Sequence, residues 1–338
     1  MDSRSRSKTN RVPHRRQAVL AKNTSWSHPG QENTCTARIL STIGRTSRGR
    51  RRSTVRPRHR GDGAHTDGTE YLEVVAPTVA PAPVLVHVPH AGTTIPADAR
   101  AGILLDEDAL ATEVRLLTDH RTDVLAAGTG EVGATRVLNR LSRLVVDPER
   151  FPDDREELAA HGMGAVYTRG HALQPLRDPT PAEVEELLDR HFHPYAAGVT
   201  TEVERLLTGH GRATIVDLHS YPRVRLPYEL HHGPRPPLCV GTDPDHTPPW
   251  LRATVAEVAA THHLDVAFDT PFAGAYVPLA HHRIDRRVTS VMLELRRDLY
   301  LDEATAQPHD GEARLTRFVT EVVAAIAAAH RRHAAAPG

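Results

Sequence analysis

Cysteine is scarce: Cys35 and Cys239 are the two in 338 residues. Neither a disulfide framework nor a cysteine metal cluster is available, as expected of a chain kept in a reducing cytoplasm. No apolar run approaches the roughly 18 residues that cross a bilayer. The amino terminus also lacks the apolar core of a secretory signal, so no membrane role is expected. There is no internal repeat, no P-loop and no dinucleotide-binding glycine pattern.

Acids are nearly missing from the first sixty residues, where Asp2 and Glu32 stand among many arginines. The formal net charge of the whole chain is zero, so the remainder is net acidic. Residues 1–70 are rich in Arg, Ser, Thr and Gly and show no sustained apolar period. Such a segment cannot bury enough surface to offset its ordering entropy and is read as a disordered basic leader. It could be a nucleic-acid-binding tail, an organelle transit peptide or an upstream extension without function. The last is favoured, because no aromatic or periodic pattern accompanies the charge, and no nucleic-acid partner is expected. Residues 71–338 are read as a single catalytic domain.

Within that domain one stretch stands out, TIVDLHS over residues 214–220. An apolar run leads into Asp217, Leu218 and His219. Alternation along a strand points Asp217 and His219 to one face and Leu218, with Val216, to the other. A buried strand that projects a carboxylate and an imidazole together can hold a metal, the carboxylate fixing the tautomer of the imidazole. A simple polar strand end is the bland alternative. Ser220 is no nucleophile for His219, since neighbouring strand residues face opposite ways and no nucleophile elbow surrounds it.

The other elements alternate. Val84–Val88 reads as a buried strand that ends before His90, with His87 as one of its ordinary residues. Asp106 to Ala127 reads as one helix, placing Asp119 and Asp123 on a shared face. Residues 135–146 read as a strand pair or an irregular strand, with Arg140, Arg143 and Arg150 close by. Residues 151–177 read as a long loop. Thr180 caps a helix to Leu207 with Pro181 in its first turn and a break at Pro194. Strands follow at 238–241, 266–268 and 288–295, the last carrying Glu294 near its end, with helices from Thr247 to His263 and from Glu312 onward. Strands alternating with helices predict an α/β fold, a mixed and mostly parallel sheet flanked by helices.

His90, His219, Glu294 and an acid from Asp119 or Asp123 are what a mononuclear metallohydrolase needs. Two imidazoles and one carboxylate leave a coordination position for water, whose pKa the metal lowers. A carboxylate outside the ligand set takes the proton and passes it to the leaving nitrogen, and Glu294 is the candidate.

At this point the chain resembles the N-formylglutamate amidohydrolase family. The resemblance is carried, in order, by VPHAGTTIP (88–96), LTDHRTDVL (117–125), SRLVVDPERFPDD (142–154), GMGAVYTR (162–169), HPYAAGV (193–199), IVDLHSYP (215–222), VGTDPDHTP (240–248), TPFAGAYVP (270–278) and SVMLELRRDLYLDE (290–303). It implies a zinc-carboxypeptidase-like α/β fold, a divalent metal, expected to be Zn2+, and hydrolysis of a small anionic N-acyl amino acid. The substrate it implies is N-formyl-L-glutamate, in histidine breakdown. His90 and His219 match the ligand positions and Glu294 the catalytic carboxylate. Asp119 and Asp123 both match acidic positions, and the choice between them stays open. Related zinc carboxypeptidases place a Glu three residues after the first His, where this chain has Thr93. Asp269 stands where the family more often shows Asn. Arg143 and Arg150 are expected to hold the substrate carboxylates and Tyr276 to wall the pocket. An aspartoacylase-like or peptidase-like hydrolase with another acyl substrate is the nearest alternative, and a non-catalytic metal-binding protein a further one. No feature of the sequence sets the oligomeric state.

Overall fold

The computed structural model describes residues 68–335. The expected basic leader therefore lies, apart from residues 68–70, outside the described residues. Seven strands form one sheet: β1 (Leu72–Val75), β2 (Val84–Val88), β3 (Thr135–Asn139), β4 (Ala213–Tyr221), β5 (Leu238–Gly241), β6 (Val266–Phe268) and β7 (Val288–Arg296). Their order is β1-β3-β2-β4-β7-β5-β6. Four of the pairings are parallel; β1 with β3 and β5 with β7 are antiparallel. The helices are α1 (Ala97–Ala101), α2 (Glu107–Leu117), α3 (Thr122–Leu125), α4 (Pro181–Leu187), α5 (His193–His210), α6 (Pro249–Thr261) and α7 (Gly311–Ala335). The expected α/β architecture is what forms. Among the described residues no helix is long and apolar enough to cross a membrane.

Strand alternation decides what each face of the sheet does. Val86, Val88, Val216, Leu218, Leu293 and Leu295 pack with Phe318, Val322 and Ile326 of α7 in one core. On the other face Leu85 and Ile215 pack with Val199, Val203 and Leu206 of α5. Further along the same strands that second face turns polar, with His87, Asp217, His219 and Glu294, all buried. All nine residues of β4 are buried, so its polar side chains, Asp217 and His219 among them, depend on partners inside the protein.

Two expected elements differ. The helix read from Asp106 to Ala127 breaks. Asp106 caps α2 by accepting from the Ala109 amide at 2.8 Å. At Thr118 the backbone becomes extended, and Arg121 takes a left-handed conformation with φ 64° before α3 starts. The break is set from outside the helix. The Asp119 amide donates to the His90 carbonyl at 2.9 Å, and Arg297 donates to the Leu116 carbonyl at 2.8 Å. Asp119 and Asp123 therefore share no helical face. Likewise only 135–139 of the 135–146 stretch is strand. Leu144, Val145 and Val146 are buried in a turn instead.

The helix from Thr180 follows its caps. Thr180 and Glu183 form a reciprocal capping box with Pro181 at the first position, which satisfies two orphan amides. The break before Pro194 is a π-turn over Leu188–Phe192, and α5 then starts with Pro194 in its first turn. This sets Tyr195 down against the sheet.

Candidate active site

Three neighbouring parallel strands bring the polar side chains together. β4 lies between β2 and β7; His87 pairs in register with Asp217, and His219 with Glu294. His90 follows β2 by two residues, at the carboxyl edge where sites of open α/β sheets collect. Its loop is pinned on both sides: Asn139 donates to the Pro89 carbonyl at 3.0 Å, and Gly92 lies against the Arg140 backbone. A Cβ at Gly92 would fall 2.4 Å from the Arg140 carbonyl carbon, so only glycine lets this loop close.

His90 Nδ1 and His219 Nδ1 stand 3.2 Å apart. Asp119 Oδ2 lies 3.0 Å from His219 Nδ1 and 3.6 Å from His90 Nδ1. A tetrahedral zinc with ligand distances near 2.0–2.1 Å requires ligand–ligand edges of about 3.3–3.4 Å, so the three atoms are spaced to share one ion. The outer nitrogens are engaged with acids. His90 Nε2–H donates to Asp147 Oδ1 at 2.9 Å, leaving the Nδ1 lone pair directed at the shared point. His219 Nε2 lies 3.0 Å from Glu149 Oε2 and 3.1 Å from Asp217 Oδ1, shared between the two without one aligned acceptor.

Charge argues the same way. Five carboxylates, those of Asp119, Asp147, Glu149, Asp217 and Glu294, surround the imidazoles. Three guanidiniums contact them: Arg297 on Asp119, and Arg143 and Arg150 on Asp147. These acids outnumber the guanidiniums set against them, and the donor set suits a divalent cation.

These partners shift the titrations. Burial disfavours the Asp119 carboxylate, but hydrogen bonds from His219 and His90 and the charge of Arg297 hold it well below the usual range. For Asp147 burial is outweighed by Arg143, then His90. Burial opposes a charged His219, yet Glu149 and Asp217 push its pKa well up, so proton and metal compete for this ring. Glu294 goes the other way: burial raises it to about 8 against the pull of His219. Its Oε2 is buried with no hydrogen-bond partner among the described residues.

A cavity of about 720 Å³ is lined by His90, Asp119, His219, Glu294, Arg143, Arg150 and Tyr276. Asp123 is not among its walls. The Asp123 carboxylate pairs with Arg140 at 2.9 Å and is about a third exposed, a surface ion pair worth little. D119N is therefore expected to lower metal affinity more than tenfold, while D123N leaves metal content and activity at wild-type level. Metal analysis of the two purified variants decides this.

Several partners carried no sequence signal of their own. Glu149 and Asp147 lie in the quoted 142–154 segment, and their spacing of two, on a loop, gave no reason to single out Glu149. Arg297 follows Arg296 and reaches back across the sheet to Asp119 at 2.8 Å and to the Ser220 hydroxyl at 3.1 Å. His87 is not the ordinary strand residue expected, since both its ring nitrogens are engaged with polar partners. Asp269 has φ 54°, a left-handed conformation that Asn and Asp tolerate best. Its carboxylate accepts from the Thr242 amide at 2.7 Å.

An α/β sheet that gathers imidazoles and carboxylates around one cavity at its carboxyl edge defines the class as a hydrolase with a candidate divalent-metal centre. The chain belongs to the N-formylglutamate amidohydrolase family, whose model matches residues 82–301. The chain is similar to the N-formylglutamate deformylase of Pseudomonas aeruginosa, with 28% identity over 227 residues, 65% of this chain and 83% of that one. The Pseudomonas putida N-formylglutamate deformylase is 26% identical over 231 residues, 65% of this chain and 82% of that one. Among solved structures, the N-formylglutamate amidohydrolase of Ralstonia eutropha superposes with a TM-score of 0.68 at 26% identity, covering 78% of this chain and 99% of that one. A protein of Agrobacterium tumefaciens shares the fold, with a TM-score of 0.57 at 21% identity over 78% of this chain and 97% of that one.

Proposed function

We propose that this protein hydrolyses N-formyl-L-glutamate to formate and glutamate at a centre holding one divalent cation, Zn2+ by the chemistry of its donors. The observation that carries the reading is the approach of His90 Nδ1, His219 Nδ1 and Asp119 Oδ2 to within 3.0–3.6 Å of one another, in a chain of this family. His90, His219 and Asp119 would hold the ion. When bound, such an ion supplies Lewis acidity, lowering the pKa of a coordinated water and polarising a carbonyl.

The chain's own residues do the rest. Glu294 takes the proton of the attacking water and passes it to the leaving nitrogen of glutamate. Its unpartnered Oε2 leaves it free for that exchange. Asp147 holds the His90 imidazole in its ligating tautomer, and Asp217 and Glu149 together face Nε2 of His219. The cationic wall receives the carboxylates of the substrate. Arg143 is largely committed, since Nε and Nη2 both donate to Asp147 Oδ2 at 3.1 and 2.6 Å. Arg150 is freer, its Nε buried without a hydrogen-bond partner among the described residues. A guanidinium with a spare donor suits bidentate capture of a carboxylate.

R150M is therefore expected to raise KM for N-formylglutamate by roughly 10- to 100-fold, as loss of a charge-assisted hydrogen bond costs about 1.5–3 kcal/mol. Steady-state kinetics on the variant checks it. The reading as a whole is tested by formate release from N-formyl-L-glutamate by purified protein, with and without a chelator. Equal turnover of N-acetyl-aspartate to acetate and aspartate, or cleavage of dipeptides in preference, would move the substrate to another acyl class.

A further inference from the structure

We propose that His87 and Tyr195, which lie behind the cavity wall and touch no substrate, are positioning residues for the metal centre. Through Asp217 they hold the imidazole of His219 in register. The inference rests on the reading of His219 as a ligand.

His87 is fully buried, on the strand face where Leu85 and Ile215 pack with α5. An imidazole in such surroundings is costly unless both nitrogens are bonded, and both are. Nδ1 meets Asp217 Oδ1 at 2.9 Å and Nε2 meets the Tyr195 hydroxyl at 2.9 Å. Asp217 is a carboxylate acceptor, so Nδ1 carries the hydrogen. Tyr195 is delivered by the π-turn and Pro194 at the start of α5. Tyr276 completes the clamp. Its ring stacks on His87 at 4.3 Å between centroids, and its amide donates to Asp217 Oδ2 at 3.1 Å. Both oxygens of Asp217 are thus held before Oδ1 meets His219 Nε2 at 3.1 Å.

The clamp matters because His219 has a competing acceptor. Glu149 Oε2 is 3.0 Å from the same Nε2, and Glu149 stands on the cavity wall. With Asp217 released, the ring would follow Glu149, and the Nδ1 lone pair would swing off the point it shares with His90 and Asp119. His87 Nδ1, Glu149 and Asp217 also lie within 4.8 Å of one another and could themselves ligate a cation. Both nitrogens of His87 are already committed, Nδ1 to Asp217 and Nε2 to Tyr195, so the positioning role is the one the hydrogen bonding favours.

The test is cobalt titration of chelator-stripped protein, read by affinity and by visible spectrum. Wild type is expected to bind one equivalent. H87L should bind about 10- to 100-fold more weakly, the usual effect of losing an outer partner of a metal-ligating histidine, with an altered spectrum. H87N, whose amide can donate where Nδ1 does, should restore affinity to within roughly threefold of wild type on the same scale. Y195F, which keeps the Asp217 contact, should weaken binding less than H87L and carries the test if H87L does not fold. Wild-type affinity and spectrum in H87L, or in Y195F if H87L is not folded, overturn the inference. Two equivalents in wild type with one lost in H87L also overturn it, since His87 would then be a ligand. No metal bound by wild type overturns the metal reading itself, and this inference with it.

Discussion

E294Q is expected to lower kcat for N-formylglutamate by about 10²- to 10⁴-fold, the span a positioned acid–base group contributes, while metal content and KM stay near wild type. Glu294 is the register partner of His219 on β7, points to the same face of the sheet, and lines the cavity. Glutamine keeps its shape and volume but cannot take up a proton. Metal analysis and steady-state kinetics on one preparation separate loss of proton transfer from loss of the ion. Full activity in E294Q would move the proton transfer to another carboxylate beside His219 on the cavity wall, such as Glu149.

The same residue gives a stability signature in chelator-stripped protein. Burial, opposed by the charge of His219, raises its pKa from 4.5 to about 8. A carboxyl with a raised folded-state pKa binds its proton more tightly folded than unfolded. The folded state therefore holds more protons between these two values, and stability falls as pH rises through that window. In E294Q this fall should be reduced, as urea unfolding at a series of pH values would register. A bound cation next to Glu294 favours its ionised form, so metal loading should flatten the wild-type dependence as well.

The second large effect is expected from H219A. Removing the imidazole takes away one of three donor atoms and leaves Asp119 paired with Arg297 at 2.8 Å. Metal affinity should fall by more than the roughly 100-fold that loss of an outer partner can cost, and formate release should drop to background. The purified variant should carry no metal through gel filtration, whereas wild type is expected to carry one ion per chain. Stoichiometric metal in H219A would remove His219 from the centre. This effect is expected to exceed that of any single guanidinium. Loss of a guanidinium removes a substrate contact and leaves the three donor atoms of the centre in place.

Much of this was readable along the chain because it is local. Alternation on β4 assigned Asp217 and His219 to one face and Leu218 to the other, and the core formed by Val216 and Leu218 with α7 follows that parity. The capping box at Thr180 and the break before Pro194 are also local chemistry. What the sequence could not decide was anything that depends on strand order. His87, Asp217, His219 and Glu294 meet because β2, β4 and β7 are neighbours, although these strands lie far apart along the chain. The choice between Asp119 and Asp123 is the sharpest case. Helical periodicity treats them alike; the break after Leu117 separates them. That break comes from the His90 carbonyl and the Arg297 guanidinium, groups remote in sequence that periodicity cannot register. Sequence alone determined which face each residue of a strand takes, since side-chain parity is a property of single strands. Tertiary structure alone decided which residues come close enough to share an ion, since that needs distances of about 3 Å between segments only the assembled sheet brings together.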